Sequence, residues 1–205
     1  MGHRYDHYDA FDSAAKPGSL EMVKWVERHC STSKKSCALS TAVSLGNLDI
    51  VQWLHANRSE GCTSWAMDNA AGKNHLETVK WLHKNRDEGC TTYAMDFTSS
   101  LEVVQWLHEN RSEGCTISTI KNAVHRGNFE IVMYLLPRCS HLSPKDAAED
   151  ALRADHIELL LWLSEAFPDE VSIESFDYNR RLGTHAIGVL QHLGIYKRTL
   201  KRRLF

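Results

Sequence analysis

The chain has 205 residues, which is enough for one large domain with a sizeable buried core. Hydrophobic residues make up 42% and charged residues 24%, as in ordinary globular proteins. The formal net charge of −2 gives the protein no overall positive potential that would attract nucleic acid or a membrane surface. The polar stretch from Met1 to Asp12 holds no signal-peptide core, and the longest apolar run, Ile157–Leu163, is too short to span a membrane. We therefore expect a cytoplasmic protein, with the nucleus as an alternative location, that binds neither nucleic acid nor membrane.

A stretch of twelve residues occurs three times in the chain. VQWLHANRSEGC occupies Val51–Cys62, and near copies occupy Val79–Cys90 and Val104–Cys115. A catalytic site is normally encoded once, whereas a period of roughly 20 to 50 residues is the mark of a solenoid or array. One position of the repeat, mostly aromatic, recurs every 25 to 30 residues through seven units: Trp25, Trp53, Trp81, Trp106, Tyr134, Trp162 and His192.

Each unit divides into two predicted helices. The second half, for example Leu48–Leu54, repeats apolar residues at the spacing of an amphipathic helix. The first half, for example Thr63–Ala71, places alanines where two helices must approach closely. N-caps are predicted at Thr63, at Thr91 and, with Pro144 at the first helical position, at Ser143. Three glycines are predicted to end the second helix as C′ residues: Gly61, Gly89 and Gly114.

The pattern as a whole predicts an all-α fold, an α-solenoid of about seven stacked helix–turn–helix repeats without a β-sheet. About fourteen helices of about ten residues each would be marginal alone in water, so neighbouring repeats must stabilise one another. We expect a single domain over residues 1–205. It would comprise an N-terminal repeat at 1–33, central repeats at 34–150, and divergent C-terminal repeats with a cap at 151–205.

Four stretches resemble the ankyrin repeat, in which two alanines, a glycine-containing turn and a Leu-Glu-Val-Val stretch follow one another. AVSLGNLDIVQWL at Ala42–Leu54 and AAGKNHLETVKWL at Ala70–Leu82 resemble it most, and Ala14–Val26 and Ala123–Leu135 match as well. The resemblance implies a binding module for other proteins that is not an enzyme and needs no cofactor or metal. The units are 28 residues long where the family's are 33, and the family's β-hairpin finger would fall in the missing part, between Gly61 and Thr63.

The residues capable of chemistry do not form a known catalytic motif. Metal ligands must converge on one point, whereas repeated histidines diverge along a stack, so we interpret them as packing under helix ends and bonding backbone carbonyls. The cluster His3–Asp9 is interpreted as a polar, frayed terminus rather than a metal or acid–base site. Equivalent cysteines of stacked repeats are too far apart for a disulfide. The repeated histidines are His55, His83 and His108, and the repeated cysteines are Cys62, Cys90 and Cys115.

Two further sets of repeated side chains have alternative interpretations. Arginines recur beside glutamates, and we favour salt bridges between stacked turns over an anion-binding ladder. For the tryptophans we favour packing between units over an exposed ligand ladder, because they recur in the most constant segment. The arginine and glutamate pairs are Arg58 with Glu60, Arg86 with Glu88, and Arg111 with Glu113. The tryptophans are Trp25, Trp53, Trp81, Trp106 and Trp162.

Positions that vary from unit to unit are candidates for partner contacts, because packing positions stay constant. In an ankyrin-like stack the first helices line the concave side, where Trp65, Tyr93 and Phe97 would supply the aromatic residues that anchor interfaces. An equal alternative for Phe97 is that it fills the gap left by the three residues missing from the fourth unit. The predicted partner-binding residues are Ser64, Trp65, Asn69, Lys73, Asn74, Thr92, Tyr93, Phe97, Ser118, Asn122, His125 and Arg126.

The functional hypothesis is a non-catalytic adaptor, monomeric by itself, that binds a partner protein along this concave face. The alternative is a targeting or substrate-recruiting array of a larger enzyme or effector assembly. The basic tail Lys197–Phe205 has three interpretations: a cap on the last repeat, a nuclear address, or a docking motif similar to the Arg-x-Leu segment that cyclins recognise. We favour the cap, because Leu200 and Leu204 share one helical face.

Overall fold

The computed structural model describes residues 10–29, 37–58, 61 and 63–172. This part of the chain contains twelve α-helices, joined in pairs by short turns, and no strand, which confirms the predicted all-α solenoid of helix–turn–helix repeats. The seventh predicted pair, the cluster His3–Asp9 and the tail Lys197–Phe205 lie outside the described residues. The helices are α1 Ala10–Ala15, α2 Leu20–His29, α3 Ala38–Ser44, α4 Leu48–Asn57, α5 Ser64–Gly72, α6 Leu76–Asn85, α7 Tyr93–Phe97, α8 Leu101–Asn110, α9 Ile117–Arg126, α10 Phe129–Leu135, α11 Pro144–Arg153 and α12 Ile157–Ala166.

The helices group into two compact units, Met1–Cys115 and Thr116–Phe205. In the first unit each odd-numbered helix packs against the next one, in the order α1, α3, α5, α7, and each also packs against the second helix of its own pair. In the second unit α9 packs against α10 and α11, and α11 packs against α12. We call the odd-numbered helices the first helices and the even-numbered ones the second helices. The single domain over 1–205 stays a prediction.

The core forms where small residues of a first helix meet branched residues of a second helix. Ala70 and Ala71 on α5 have no exposed surface, and neither does Val79 on α6, while Leu82 is 1% exposed. Alanine adds no bulk at the crossing, so the apolar stripe of the second helix reaches the backbone of the first. Full burial of each such leucine or valine contributes about 1.5–3 kcal/mol. The other described pairs also place buried alanines on the first helix and buried branched residues on the second, which is why the stripe recurs in the sequence.

The structure places the N-cap at two of the three predicted residues, Ser143 and Thr63, whereas the N-cap of α7 is Thr92, one residue after the predicted Thr91. Ser143 Oγ accepts a hydrogen bond from the Asp146 N–H at 3.1 Å, with Pro144 at the first helical position. Thr91 Oγ1 accepts the Tyr93 N–H at 3.2 Å. Thr63 precedes α5 but makes no side-chain cap bond.

The second helices end earlier than predicted. The sequence placed C′ glycines at Gly61, Gly89 and Gly114, but the helices end four residues before each glycine. At each end an asparagine side-chain amide donates a 2.8 Å hydrogen bond to the carbonyl of the tryptophan four residues earlier. The following arginine turns into an extended conformation, so the helix stops before the glycine. The terminating asparagines are Asn57, Asn85 and Asn110.

Candidate partner-binding site

Three large aromatic side chains are exposed on neighbouring first helices of the first unit. Trp65 on α5 is 64% exposed, and on α7 Tyr93 is 52% and Phe97 44% exposed. The ring centroids of Trp65 and Tyr93 lie 6.2 Å apart with planes inclined by 23°. Those of Tyr93 and Phe97 lie 5.3 Å apart with planes inclined by 6°. We call these three residues the aromatic row. The structure thus brings together all three aromatic residues among the predicted contacts.

Helical spacing and the repeat period together place the row. Tyr93 and Phe97 are four residues apart on α7 and therefore share one face, while Ala94 and Met95 between them are buried. Trp65 lies 28 residues before Tyr93, and α5 packs directly against α7, so equivalent residues become neighbours. The aromatic rings are outside because the core positions of these helices are already taken by alanine and methionine.

A buried carboxylate beneath the row fixes α7 relative to α5. Asp68 is 7% exposed, and its two oxygens accept hydrogen bonds from the Thr91 backbone N–H and hydroxyl, each at 2.8 Å. Thr91 in turn accepts the Tyr93 N–H, so the carboxylate indirectly positions one ring of the row. The sequence analysis missed Asp68. The available signal was the return of aspartate at Asp96 in a helix otherwise made of small and apolar residues.

Asn74 is one of the predicted contacts, and its side chain forms hydrogen bonds with the turn of the next repeat. Its backbone is left-handed, with φ 64°. Its Oδ1 accepts bonds from the Thr98 hydroxyl at 2.9 Å and the Ser99 N–H at 3.0 Å, and its Nδ2 donates to Ser99 Oγ at 2.8 Å. Asn74 therefore closes the shortened turn of the fourth repeat. Phe97 is 44% exposed at the end of α7, and the alternative that it fills this gap stays a prediction.

The remaining predicted contacts lie around these features. In the first unit Lys73 is exposed beside Asn74, and the others there are half-buried: Ser64, Asn69 and Thr92. In the second unit α9 carries the other four, of which Ser118, His125 and Arg126 are exposed and Asn122 is half-buried. Ile117, at the start of α9, is 66% exposed and is not among the predicted contacts. A role in partner binding stays a prediction for all of these residues.

The most constant residues of the repeat include a tryptophan and a histidine, which contact each other between neighbouring second helices of the first unit. The Trp81 ring and the His55 ring of the preceding repeat pack in a T-shaped arrangement, at 5.2 Å between centroids, and Trp106 packs likewise with His83. His55 Nδ1 lies 3.1 Å from Arg86 Nη1, and His83 Nδ1 lies 3.3 Å from the equivalent Arg111 atom. A guanidinium only donates, so both histidines accept. The predicted bonds to backbone carbonyls are therefore wrong for His55 and His83.

Two of the three predicted arginine–glutamate pairs are present in the described residues, but each lies within one turn rather than between turns. Arg86 pairs with Glu88 and Arg111 with Glu113, two residues further along the chain. Each of these arginines reaches the preceding repeat through a histidine instead. Arg58 does join two repeats directly, because its Nη1 lies 3.0 Å from Oε2 of Glu27. Glu60, its predicted partner, lies outside the described residues.

The packing predicted for the tryptophans holds only in part. Trp53, Trp81, Trp106 and Trp162 are half-buried, whereas Trp25 is 52% exposed. The Trp25 ring stacks on His29 of its own helix, with centroids 4.6 Å apart. The tryptophans that pack between repeats do so in a T-shaped contact with histidine, which leaves part of each ring at the surface.

The described cysteines form no disulfide bond among the described residues: Cys37, Cys90, Cys115 and Cys139. Burial raises the pKa of the half-buried Cys90 thiol to about 11, and the nearby Glu113 carboxylate adds to this effect. Among residues 10–29, 37–58, 61 and 63–172, no three His, Cys, Asp or Glu side chains converge as metal ligands would. In the same residues no helix is long and apolar enough to cross a membrane.

One comparison with known proteins gives a match. The family model for ankyrin repeats (many copies) matches residues 39–83, which run from α3 into α6. Residues 39–83 carry ankyrin repeats, and the predicted resemblance is confirmed there. Ankyrin repeats are generally protein–protein interaction modules. No curated protein matches the chain.

Proposed function

We propose that the chain is a non-catalytic adaptor that binds another protein through the exposed side of α5 and α7. We call this side the first-helix face. The aromatic row is the observation that carries the proposal. Three large aromatic side chains in contact with one another, each 44–64% exposed, form the kind of surface that interfaces use for their anchors.

The gain from covering the row is large enough to support binding. A Phe, Tyr or Trp side chain typically buries about 150–250 Å², and burial of apolar surface contributes roughly 25 cal/mol per Å². The mutual stacking of the rings covers only part of this surface, since Trp65 remains 64% exposed. A partner that covers the row therefore buries apolar surface that the chain itself leaves in water.

The row is also held in place before any partner arrives. The bonds from Asp68 to Thr91 fix the start of α7, and the three bonds of Asn74 fix the turn that follows it. A surface that is already ordered loses little conformational entropy on binding, which favours affinity. The predicted contacts on α9 of the second unit, Ser118, Asn122, His125 and Arg126, would form a further contact surface of that unit.

The experiment is a capture from cell extract with three immobilised full-length proteins. They are the wild type, the double variant Trp65→Ala/Tyr93→Ala, and Trp25→Ala. The last removes a 52% exposed tryptophan from a second helix and is the control. The proposal expects proteins that the wild type and Trp25→Ala retain and the double variant loses. Equal capture by the double variant, at an unchanged melting temperature, would refute it.

A further inference from the structure

A groove in the second unit lies between α9 and α11, two helices that pack against each other. Its volume is about 200 Å³, which is smaller than the roughly 300–1,000 Å³ of most small-molecule sites. It therefore suits a side chain of a protein partner better than a cofactor. The most buried residues that line it are apolar: Ile120, Leu142 and Ala147, which are 5%, 5% and 1% exposed. We call these three residues the recess.

An exposed isoleucine lines the same groove. Ile117, the first residue of α9, is 66% exposed, the largest value among the large hydrophobic side chains of the described residues. The equivalent residues of the two preceding repeats are Ser64 and Thr92, so the packing of the repeat does not require an apolar residue there. The groove thus combines an apolar recess with an apolar side chain that the chain itself leaves in water.

The two helices contribute charges of opposite sign to the groove. From α9 comes Lys121, and this helix contains no carboxylate. From α11 come three carboxylates and one guanidinium: Asp146, Glu149, Asp150 and Arg153. The other charged or histidine residues of α9, of α11 and of the segment before α11 do not line the groove: His125, Arg126, Arg138, His141 and Lys145. The α9 side of the groove is therefore positive and the α11 side negative.

Two of the lining charges make no ion pair within the chain. Arg153 is held by its own helix, because its guanidinium lies 2.7 Å from Glu149 and 2.7 Å from Asp150. Lys121 and Asp146 are both exposed, and neither has an ion-pair partner within 4.0 Å among the residues that the structure describes. An unpaired cation on one side and an unpaired carboxylate on the other make the groove complementary to a second copy of itself.

We propose that this groove is the contact of a homodimer, in which a second copy of the chain binds the same groove about a two-fold axis directed along it. Such an axis places α9 of each copy over α11 of the other. Ile117 of each copy then covers the recess of the other, and Lys121 of each meets Asp146 of the other. The inference is independent of the proposed function, which uses α5 and α7, and it differs from the monomer expected from the sequence.

A second copy satisfies all of these features at once, and each contact occurs twice. An exposed ion pair contributes little by itself, so the apolar contact provides affinity and the charges select the orientation. A two-fold axis across the groove would instead set α9 on α9 and bring like charges together. The net charge of −2 on each chain gives little mutual repulsion.

The test is sedimentation equilibrium of the full chain at concentrations up to about 0.5 mM, a range in which weak dimers are populated. The proteins are the wild type, Ile117→Glu, Lys121→Glu, Asp146→Lys and an equimolar mixture of the last two. Lys84→Glu makes the same charge change at an exposed lysine of α6 and is the matched control. Ile117→Glu should keep the fold, because the side chain is exposed and an acid is favourable at the start of a helix.

The wild type should form a dimer that Lys84→Glu leaves unchanged, and each of the three groove variants should weaken it at least about tenfold. The mixture should restore the dimer, because Lys121→Glu and Asp146→Lys place like charges together in each homodimer and unlike charges together in the heterodimer. A wild type that stays monomeric overturns the inference, and so does a dimer that the groove variants leave intact or a mixture as weak as its components. If Asp146→Lys lowers the melting temperature, Ile117→Glu and Lys121→Glu decide alone.

Discussion

Asp68 on α5 accepts hydrogen bonds from two groups of Thr91, which lies two residues before the first residue of α7, with one carboxylate oxygen for the backbone N–H and the other for the hydroxyl. Both distances are 2.8 Å, and the carboxylate is 7% exposed. Bonds to a charged acceptor are stronger than neutral ones, so this pair is a principal link between the third and fourth repeats. It also sets the position of Tyr93 next to Trp65.

The first prediction concerns this link. Asp68→Ala should lower the free energy of unfolding by about 2–3 kcal/mol, because it removes two charge-assisted bonds and leaves the Thr91 groups without their acceptor. Urea denaturation of the full chain measures the change. Asp87→Ala removes an exposed aspartate from a turn of the same unit and should have little effect. Equal stability of the two variants would show that the buried bonds contribute nothing net.

The second prediction separates the two sides of the first unit. Trp65→Ala should leave the melting temperature nearly unchanged, because its ring is 64% exposed. Trp81→Ala should cost about 2 kcal/mol, which is less than a full core truncation because the ring is only half-buried against His55. Differential scanning calorimetry compares the two. If Trp65→Ala unfolds the protein and Trp81→Ala does not, the assignment of the faces is reversed.

The third prediction concerns the left-handed turn at Asn74. Asn74→Gly keeps a backbone that tolerates φ 64° but loses three hydrogen bonds, and should cost about 1–2 kcal/mol. Asn74→Ala loses the same bonds and adds strain, so it should cost about 1 kcal/mol more. Chemical denaturation of both variants separates the two contributions. A glycine variant as stable as the wild type would mean that the bonds to Thr98 and Ser99 are not stabilising.

The fourth prediction concerns thiol reactivity. Because burial raises the pKa of Cys90 to about 11, its thiolate fraction at pH 8 is about one in a thousand. Iodoacetamide at pH 8 should therefore modify the exposed Cys37 long before Cys90, and raising the pH toward 11 should narrow the difference. Peptide mass spectrometry of timed samples follows both sites. Labelling of Cys90 at the rate of Cys37 at pH 8 would contradict the buried position.

The repeat and its helices could be predicted because short segments of the sequence determine them. Apolar spacing in Leu48–Leu54 and alanine spacing in Thr63–Ala71 specify helix faces within a few residues, and the period of Trp53 and Trp81 specifies which faces meet. The exposure of Trp65 was predictable for the same reason, since a side chain that varies between repeats does not belong to the repeated packing.

The contacts between repeats could not be predicted because their partners are 23 to 31 residues apart. The link from Asp68 to Thr91 and the one from His55 to Arg86 depend on the geometry of the stack, which the sequence alone does not show. The helix ends were misplaced for another reason. The Asn85 side-chain amide bonds the carbonyl of Trp81, and Arg86 takes an extended conformation, so the helix ends before Gly89, where general preferences would place the end.

The most direct test of the central claim, that a partner binds the first-helix face, is site-specific photo-crosslinking in cell extract. A photoreactive residue is placed at Lys73, beside the aromatic row, or at Lys84 on α6, and both positions are exposed. The account predicts a crosslinked protein from position 73 that is absent from position 84 and disappears when Trp65→Ala/Tyr93→Ala is added. The same protein crosslinked equally from both positions, and retained in the aromatic double variant, would contradict the account.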